Sequence, residues 1–484
     1  MTSAAVPATR RPGLLTQLAY GFGGTAEGIK NNGFDYFLLF FYSNILGVNA
    51  GQVGLALLVA LVVDAISDPV VGYWSDNLRT RLGRRHPFMY GALIPVAVAY
   101  FLAWNPPGDL TGNELFPWLV GVTIAVRLGF TFYEVPSNAL AAELTSDYDA
   151  RTGLMSFRYF FAWMGGLSIQ ILLLFFLLTP TEEVPNGFFN LQGWHTYGLV
   201  AAICILIAVA VCAGGTHRHI KHLKAPPQAR NLTLTRIFRE IFETVSNRSF
   251  RALFLATLFG LLATGISATL NQYINTIFWG FSPKQIAGLT VGVYVSAILA
   301  LIVAPLAGRV LGKKRAAILI GIFAFTIAPL PVILRLFGLL PPNGTEALYT
   351  IILVITVFDV ALIIATQMLM GAMVADIVED SELQTGRRSE GIFFAGISFI
   401  RKLSQGAGVV TASFVLAVAG LSQGVAAQAP TSESIRQLGI GYAASLLTAW
   451  TLMLLCVSFY RISRESHEAN LAALAARDGT EPTP

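Results

Sequence analysis

Long apolar stretches alternate with short polar or basic breaks along the whole chain. With Gly, Pro and charge clusters taken as breaks, the pattern predicts helices over 14–43, 51–75, 87–104, 115–142, 153–179 and 194–213. A polar, basic stretch follows, and six more helices are predicted over 249–278, 283–308, 316–337, 346–374, 390–420 and 437–460. Each has about the ~20 residues needed to cross a bilayer core. The expectation is an all-α integral membrane protein with twelve transmembrane helices. Residues 1–213 form one six-helix half, 214–248 a cytoplasmic linker, 249–460 a second half and 461–484 a cytoplasmic tail.

Composition agrees. Only 12% of residues are charged and 55% are hydrophobic, whereas soluble chains carry roughly 25% charge; this excludes a string of soluble domains and a disordered chain. The net charge of +5 would hint at nucleic acid in a soluble protein, but here the placement of the basic residues matters more. With both termini in the cytoplasm, inside segments hold 24 of the 32 Lys and Arg and outside segments hold three, Lys284, Arg335 and Arg436. Basic loops stay on the cytoplasmic side, so the termini are expected inside, in a multi-pass protein of a bacterial inner membrane. The remaining five, Lys30, Arg127, Arg158, Arg401 and Lys402, fall within or at the edge of spans.

Cys204, Cys212 and Cys456 all lie in apolar runs, which argues against a disulfide framework or a cysteine metal site. The apolar stretch after Arg10 and Arg11 continues through Glu27, Lys30 and Asp35 and reads as a retained helix. The chain has no phosphate loop, nucleophile elbow or zinc-protease motif, so it is expected to be no enzyme and to need no cofactor beyond a coupling cation. His217, His219 and His222 sit in a solvated basic loop, which disfavours a metal site.

The halves echo each other. Pro69-Val-Val-Gly72 recurs 236 residues later as Pro305-Leu-Ala-Gly308, Gly83-Arg84-Arg85 has a counterpart in Gly312-Lys313-Lys314-Arg315, and Glu143 with Asp147 corresponds to Asp376 with Asp380. Two six-helix halves in parallel repeat, joined by a basic loop, form the architecture of the major facilitator transporters.

Charged groups inside spans carry the candidate chemistry, because hydrocarbon solvates none of them. Asp64 and Asp68 are four residues apart and share a helix face. A bound cation, or a proton on one carboxyl, resolves their repulsion; structural pairing with Lys or Arg is the alternative. Thr131 and Glu134, three apart on the fourth helix, add a neutral oxygen ligand and a third carboxylate. Glu134 reads equally as a structural partner of Arg127 or Arg158. The first helix is unusually polar, with Glu27, Lys30, Asn31, Asn32 and Asp35, so one face must meet a wet cavity; Glu27, Lys30 and Asn31 are expected to line a substrate path. A mutual Glu27–Lys30 pair at helical spacing is the competing reading. Asp76 with Arg81, Arg84 and Arg85 in the loop after the second helix, and Asp376, Asp380 and Arg388 in the second half, are candidate gating residues; topology determination alone would also explain the basic cluster.

Three motifs together resemble the glycoside-pentoside-hexuronide:cation symporters, melibiose-permease-like members of the major facilitator superfamily. They are Asp64-Ala-Ile-Ser67-Asp68-Pro69-x-x-Gly72 with Arg-x-Gly83-Arg84-Arg85-x-Pro87, the stretch from Glu134-Val-Pro-Ser-Asn to Arg151-Thr, and Ala375-Asp376-x-x-Glu-Asp380 leading to Arg388-Ser-Glu390-Gly391-Ile-Phe-Phe-Ala and Lys402. The resemblance implies a monomeric symporter that couples Na+ or H+ to uptake of a sugar or glycoside by alternating access. It places the cation at Asp64, Ser67, Asp68, Thr131, Glu134 and Lys402. For substrate it retains Glu134 and Arg158; Gln367 stands where the melibiose permease stacks sugar on Trp, and Gly28 where it has a first-helix Asp. Ser67 replaces an Asn of that permease, which weakens the case for Na+ and leaves H+ open. Similar motifs occur in sodium-coupled lysophospholipid carriers, so a non-sugar or lysolipid-like substrate is the alternative.

Overall fold

The computed structural model describes residues 12–145, 148–220, 248–385, 390–422 and 430–459. The described residues are helices and short connections. The first helical stretch, α1, covers 14–45 and passes through π-turns at Gly33–Phe37 and Phe41–Ile45. It is followed by α2 (Ala50–Asn77), α3 (His86–Trp104), α4 (Phe116–Leu144), α5 (Tyr148–Ile171, extended by a π-turn at Leu172–Leu177) and α6 (Leu191–His217). Then come α7 (Arg248–Tyr273, with a π-turn at Ile274–Phe278), α8 (Pro283–Leu311), α9 (Lys313–Ile327 with Leu330–Leu336), α10 (Glu346–Thr385), α11 (Glu390–Val418) and α12 (Ser432–Ser458). Ten of these helices are long and apolar enough to cross a membrane among the described residues, and Leu403–Val418 is a shorter apolar one.

The chain divides into two compact units whose boundary falls between Ala229 and Arg230, inside the stretch expected to be a linker, most of which lies outside the described residues. Within the first unit α1 packs on α5 and α6, α2 on α4, and α3 on α4 and α6; the second unit repeats the scheme with α7 on α11 and α12, α8 on α10, and α9 on α10 and α12. The duplication reaches the backbone. At the α1–α2 corner the Leu46 amide bonds the Phe41 carbonyl and the Val48 amide the Tyr42 carbonyl, and at the α7–α8 corner the Trp279 amide bonds Ile274 and the Phe281 amide Asn275. Gly47 (φ 75°) and Gly280 (φ 70°) take the left-handed position in the two corners. Asn49 and Ser282 then cap α2 and α8 with their side chains.

Polar residues on α1 are placed by its contact with α5, which is a seam of small residues. A Cβ added to Gly24 or Gly28 would lie 2.2 Å from the Arg158 carbonyl oxygen or 1.8 Å from that of Ala162, and one at Gly166 would lie 2.9 Å from the Gly28 oxygen. Backbones this close leave no room for a side chain, so Gly28 cannot present one to a cavity. Gly28→Ala is expected to force the helices apart, at a cost of at least about 1–3 kcal/mol, visible as a lower midpoint in thermal unfolding of the purified protein; an unchanged midpoint would show that the seam yields freely.

Candidate functional site

In the first unit α1, α2, α4 and α5 bring the intramembrane charges together. Asp64, Ser67 and Asp68 share one face of α2, and Arg127, Thr131 and Glu134 recur at four- and three-residue spacing along the face of α4 packed against it. The buried Thr131 hydroxyl lies 3.0 Å from Asp64 Oδ1, 3.1 Å from Asp68 Oδ1 and 3.2 Å from Ser67 Oγ. It also lies 3.1 Å from the carbonyl of Arg127, one turn back in its own helix. One hydroxyl proton serves one of these acceptors at a time, so the cluster holds more oxygen lone pairs than protons to fill them. Such oxygen-rich, anionic surroundings suit a hard cation or an added proton. Pro69 beside it has no N–H for the carbonyl one turn earlier.

Arg127 borders the cluster, its guanidinium 3.6 Å from Asp64 Oδ2 and over the ring of Phe34 at 5.6 Å. It was absent from the candidate site in the sequence. Its spacing from Thr131 and Glu134 was the signal.

Two further ion pairs tie α1 to its neighbours. Lys30 Nζ meets Glu134 Oε1 at 2.5 Å and sits over the Phe130 ring at 4.8 Å. Arg158 lies between the rings of Tyr20 and Tyr133 at 5.5 and 5.8 Å, donates to Ser137 Oγ at 3.0 Å and stands 3.7 Å from Glu27 Oε2. Glu27 and Lys30 are therefore paired across helices rather than with each other. Glu134 is paired with Lys30 rather than with Arg127 or Arg158. Among the described residues, buried Nε and one terminal nitrogen of Arg158 have no hydrogen-bond partner, which leaves donors to spare. Asn31, next to Lys30 on α1, is half-buried, and Asn32 donates to Gln170 of α5 at 2.9 Å.

At the end of α2 nearest the basic loop, Arg85 is buried and joins three groups: it pairs with Asp76, donates to Ser75 Oγ at 2.6 Å and to Glu143 Oε1 at 2.8 Å. Arg84 reaches the same Glu143 oxygen at 2.8 Å. Arg81 is exposed. Glu143 was named only as a repeat position in the sequence, yet it is the anchor that fastens this loop to the end of α4.

In the second unit Gln367, of α10, lines a cavity of about 180 Å3 together with Thr257 and Thr264 of α7, Arg401 of α11 and Trp450 of α12. Asp376 and Asp380 belong to α10 and Lys402 to α11. Their side chains, and Arg388 altogether, lie outside the described residues.

A family described as MFS/sugar transport protein matches residues 19–464. The chain belongs to that family. It is 28% identical to the inner membrane symporter YicJ of Escherichia coli over 87% of this chain and 86% of the relative, and 23% identical to the isoprimeverose transporter of Lactiplantibacillus pentosus over 88% and 84%. Among solved structures, a bacterial homologue of the human lysosomal transporter Spinster superposes with a TM-score of 0.61 at 13% identity, covering 97% of this chain and 98% of that one. That likeness bears out the major facilitator fold expected from the repeat, and the family match bears out the resemblance read from the motifs. This member of the MFS/sugar transport family is thus a multi-pass membrane transport protein.

Proposed function

We propose that the protein is a symporter of an inner membrane, both termini cytoplasmic, which takes up a sugar or glycoside with Na+ or H+ by alternating access and acts as a monomer without chemical conversion of its substrate. The observation that carries the cation site is the Thr131 hydroxyl within hydrogen-bond distance of both Asp64 and Asp68. Asp64, Ser67, Asp68 and Thr131 hold the cation; Glu134, held by Lys30, stands one turn from Thr131 and links that site to the substrate, and the positive charge of Lys402 competes with the cation. Substrate meets Glu27, Lys30, Asn31, Glu134, Arg158 and Gln367. The spare donors of Arg158 support its part, because a buried guanidinium with unused N–H groups gains most from a ligand oxygen. Asp76, Arg81, Arg84, Arg85, Asp376, Asp380 and Arg388 form the gates; the Arg85–Glu143 anchoring supports the first of them.

Named symporters among the relatives support the coupling. The test is a thermal-shift screen of sugars, glycosides, uronates and lysolipids, with Na+ or at varied pH, followed by uptake of each hit into proteoliposomes. A sugar or glycoside whose stabilisation and uptake both rise with Na+ or with H+ is the expected result. Uptake indifferent to both cations, or stabilisation by lysolipids alone, would sink the proposal.

A further inference from the structure

A groove in the first unit is used by none of the residues above. It occupies about 550 Å3 between α2, α3 and α4 and is lined by Trp74, Leu78, Phe88, Pro95, Leu128 and Phe132. Its depth has a sequence cause. Gly91 and Ala92 at the centre of the α3 face, and Ala125 and Gly129 on α4, are small where the flanking positions are large. Trp74, Phe88 and Phe132 close one end as an aromatic cluster with centroids 5.2 to 6.1 Å apart. That is the end at which α2 stops, next to the basic loop, and Trp74 is half exposed there, the placement that indole favours at a membrane interface.

Charge distinguishes this end. Of the four arginines in the loop, Arg84 and Arg85 are consumed by Glu143 and Asp76. Arg79, adjacent to the groove-lining Leu78, and Arg81 are exposed, with no carboxylate paired to either among the described residues. The turn carrying them is fixed, because Thr80 accepts from the Gly83 amide at 3.1 Å through its carbonyl, with Gly83 in the left-handed region at φ 74°. An apolar trough in a membrane protein that opens beside two unneutralised guanidinium groups matches a molecule with a long apolar tail and an anionic head.

We propose that this groove binds an anionic phospholipid, with one acyl chain along α3 and α4 and its phosphate on Arg79 and Arg81. The experiment is native mass spectrometry of the purified protein titrated with phosphatidylglycerol or with phosphatidylcholine of the same acyl chains, in parallel with thermal unfolding. Phosphatidylglycerol is expected to bind about thirtyfold more tightly, the effect of two basic side chains near an anionic headgroup. In the Arg79→Gln/Arg81→Gln double variant the two lipids should bind alike. Gly91→Phe should weaken both; a Cβ at Gly91 meets nothing within 4 Å, so the added ring enters the groove without displacing protein. Equal affinity for the two lipids in the unmodified protein, a preference for phosphatidylglycerol that survives in the double arginine variant, or undiminished binding to folded Gly91→Phe would each overturn the proposal. Thermal unfolding without lipid reports whether Gly91→Phe is folded, and the double arginine variant decides the headgroup assignment by itself.

Discussion

Asp68→Asn is expected to abolish cation-stimulated uptake while leaving the protein folded in the membrane. The amide keeps the shape of the side chain and one acceptor oxygen within reach of Thr131, so the α2–α4 contact loses little. What disappears is a negative charge beside the buried Asp64 carboxylate. Removing one member of a buried charge interaction costs about 3–5 kcal/mol, roughly a hundredfold or more in cation affinity. Asp68 is the better probe of the two carboxylates, because Asp64 is buried and also faces Arg127 at 3.6 Å; Asp64→Asn would leave that guanidinium without its partner and mix misfolding with lost binding. The coupling is reciprocal: a cation that strengthens substrate binding must itself bind more tightly when substrate is present. Cation titrations monitored by intrinsic fluorescence, with and without substrate, check both halves of the claim. A folded Asp68→Asn protein whose uptake still responds to the cation would remove the assignment.

How much of this was legible in the sequence differs between α1 and α2. Asp64, Ser67 and Asp68 lie in a long apolar helix, where fixed spacing puts them on one face and burial makes their charges conspicuous. Their meeting with Thr131 follows from two such faces and the packing of neighbouring helices. On α1 the same reasoning stopped short, because Glu27, Lys30, Asn31 and Asp35 crowd the helix and spacing alone offers Lys30 a partner at Glu27. The choice between partners is made by the glycine seam. Contact through Gly24, Gly28 and Gly166 draws α1 against α5 closely enough that Glu27 faces Arg158 and Lys30 crosses to Glu134. Periodicity reports which face a residue occupies. It does not report how near another backbone approaches that face, so partners across helices were open where partners along a helix were not. The fold was more legible than the site because twelve apolar runs and a repeated Pro-Gly motif are properties of one chain read end to end, whereas Arg127, Ser137 and Glu143 acquire their roles only from side chains on other helices or in a loop.

The Lys30–Glu134 pair should be costly to break. Its atoms are 2.5 Å apart and the two side chains are 8% and 22% exposed, so neither charge is well solvated once its partner is gone. Lys30→Met and Glu134→Gln are each expected to destabilise the protein by about 3–5 kcal/mol, because each leaves an uncompensated charge inside the bundle. The double variant Lys30→Met/Glu134→Gln removes both charges and should recover most of that loss, giving a large coupling in a double-mutant cycle read by thermal unfolding. Single variants as stable as the parent would mean that water or another group already neutralises the charges and that the pair does not hold α1 to α4. Uptake should follow a different order. If Glu134 also meets the substrate, the double variant regains its melting temperature but not its transport, since Gln supplies an acceptor without the charge and Met supplies no donor. Recovery of stability without recovery of uptake then separates the contribution of the pair to the bundle from the contribution of the carboxylate to binding, which neither single variant does.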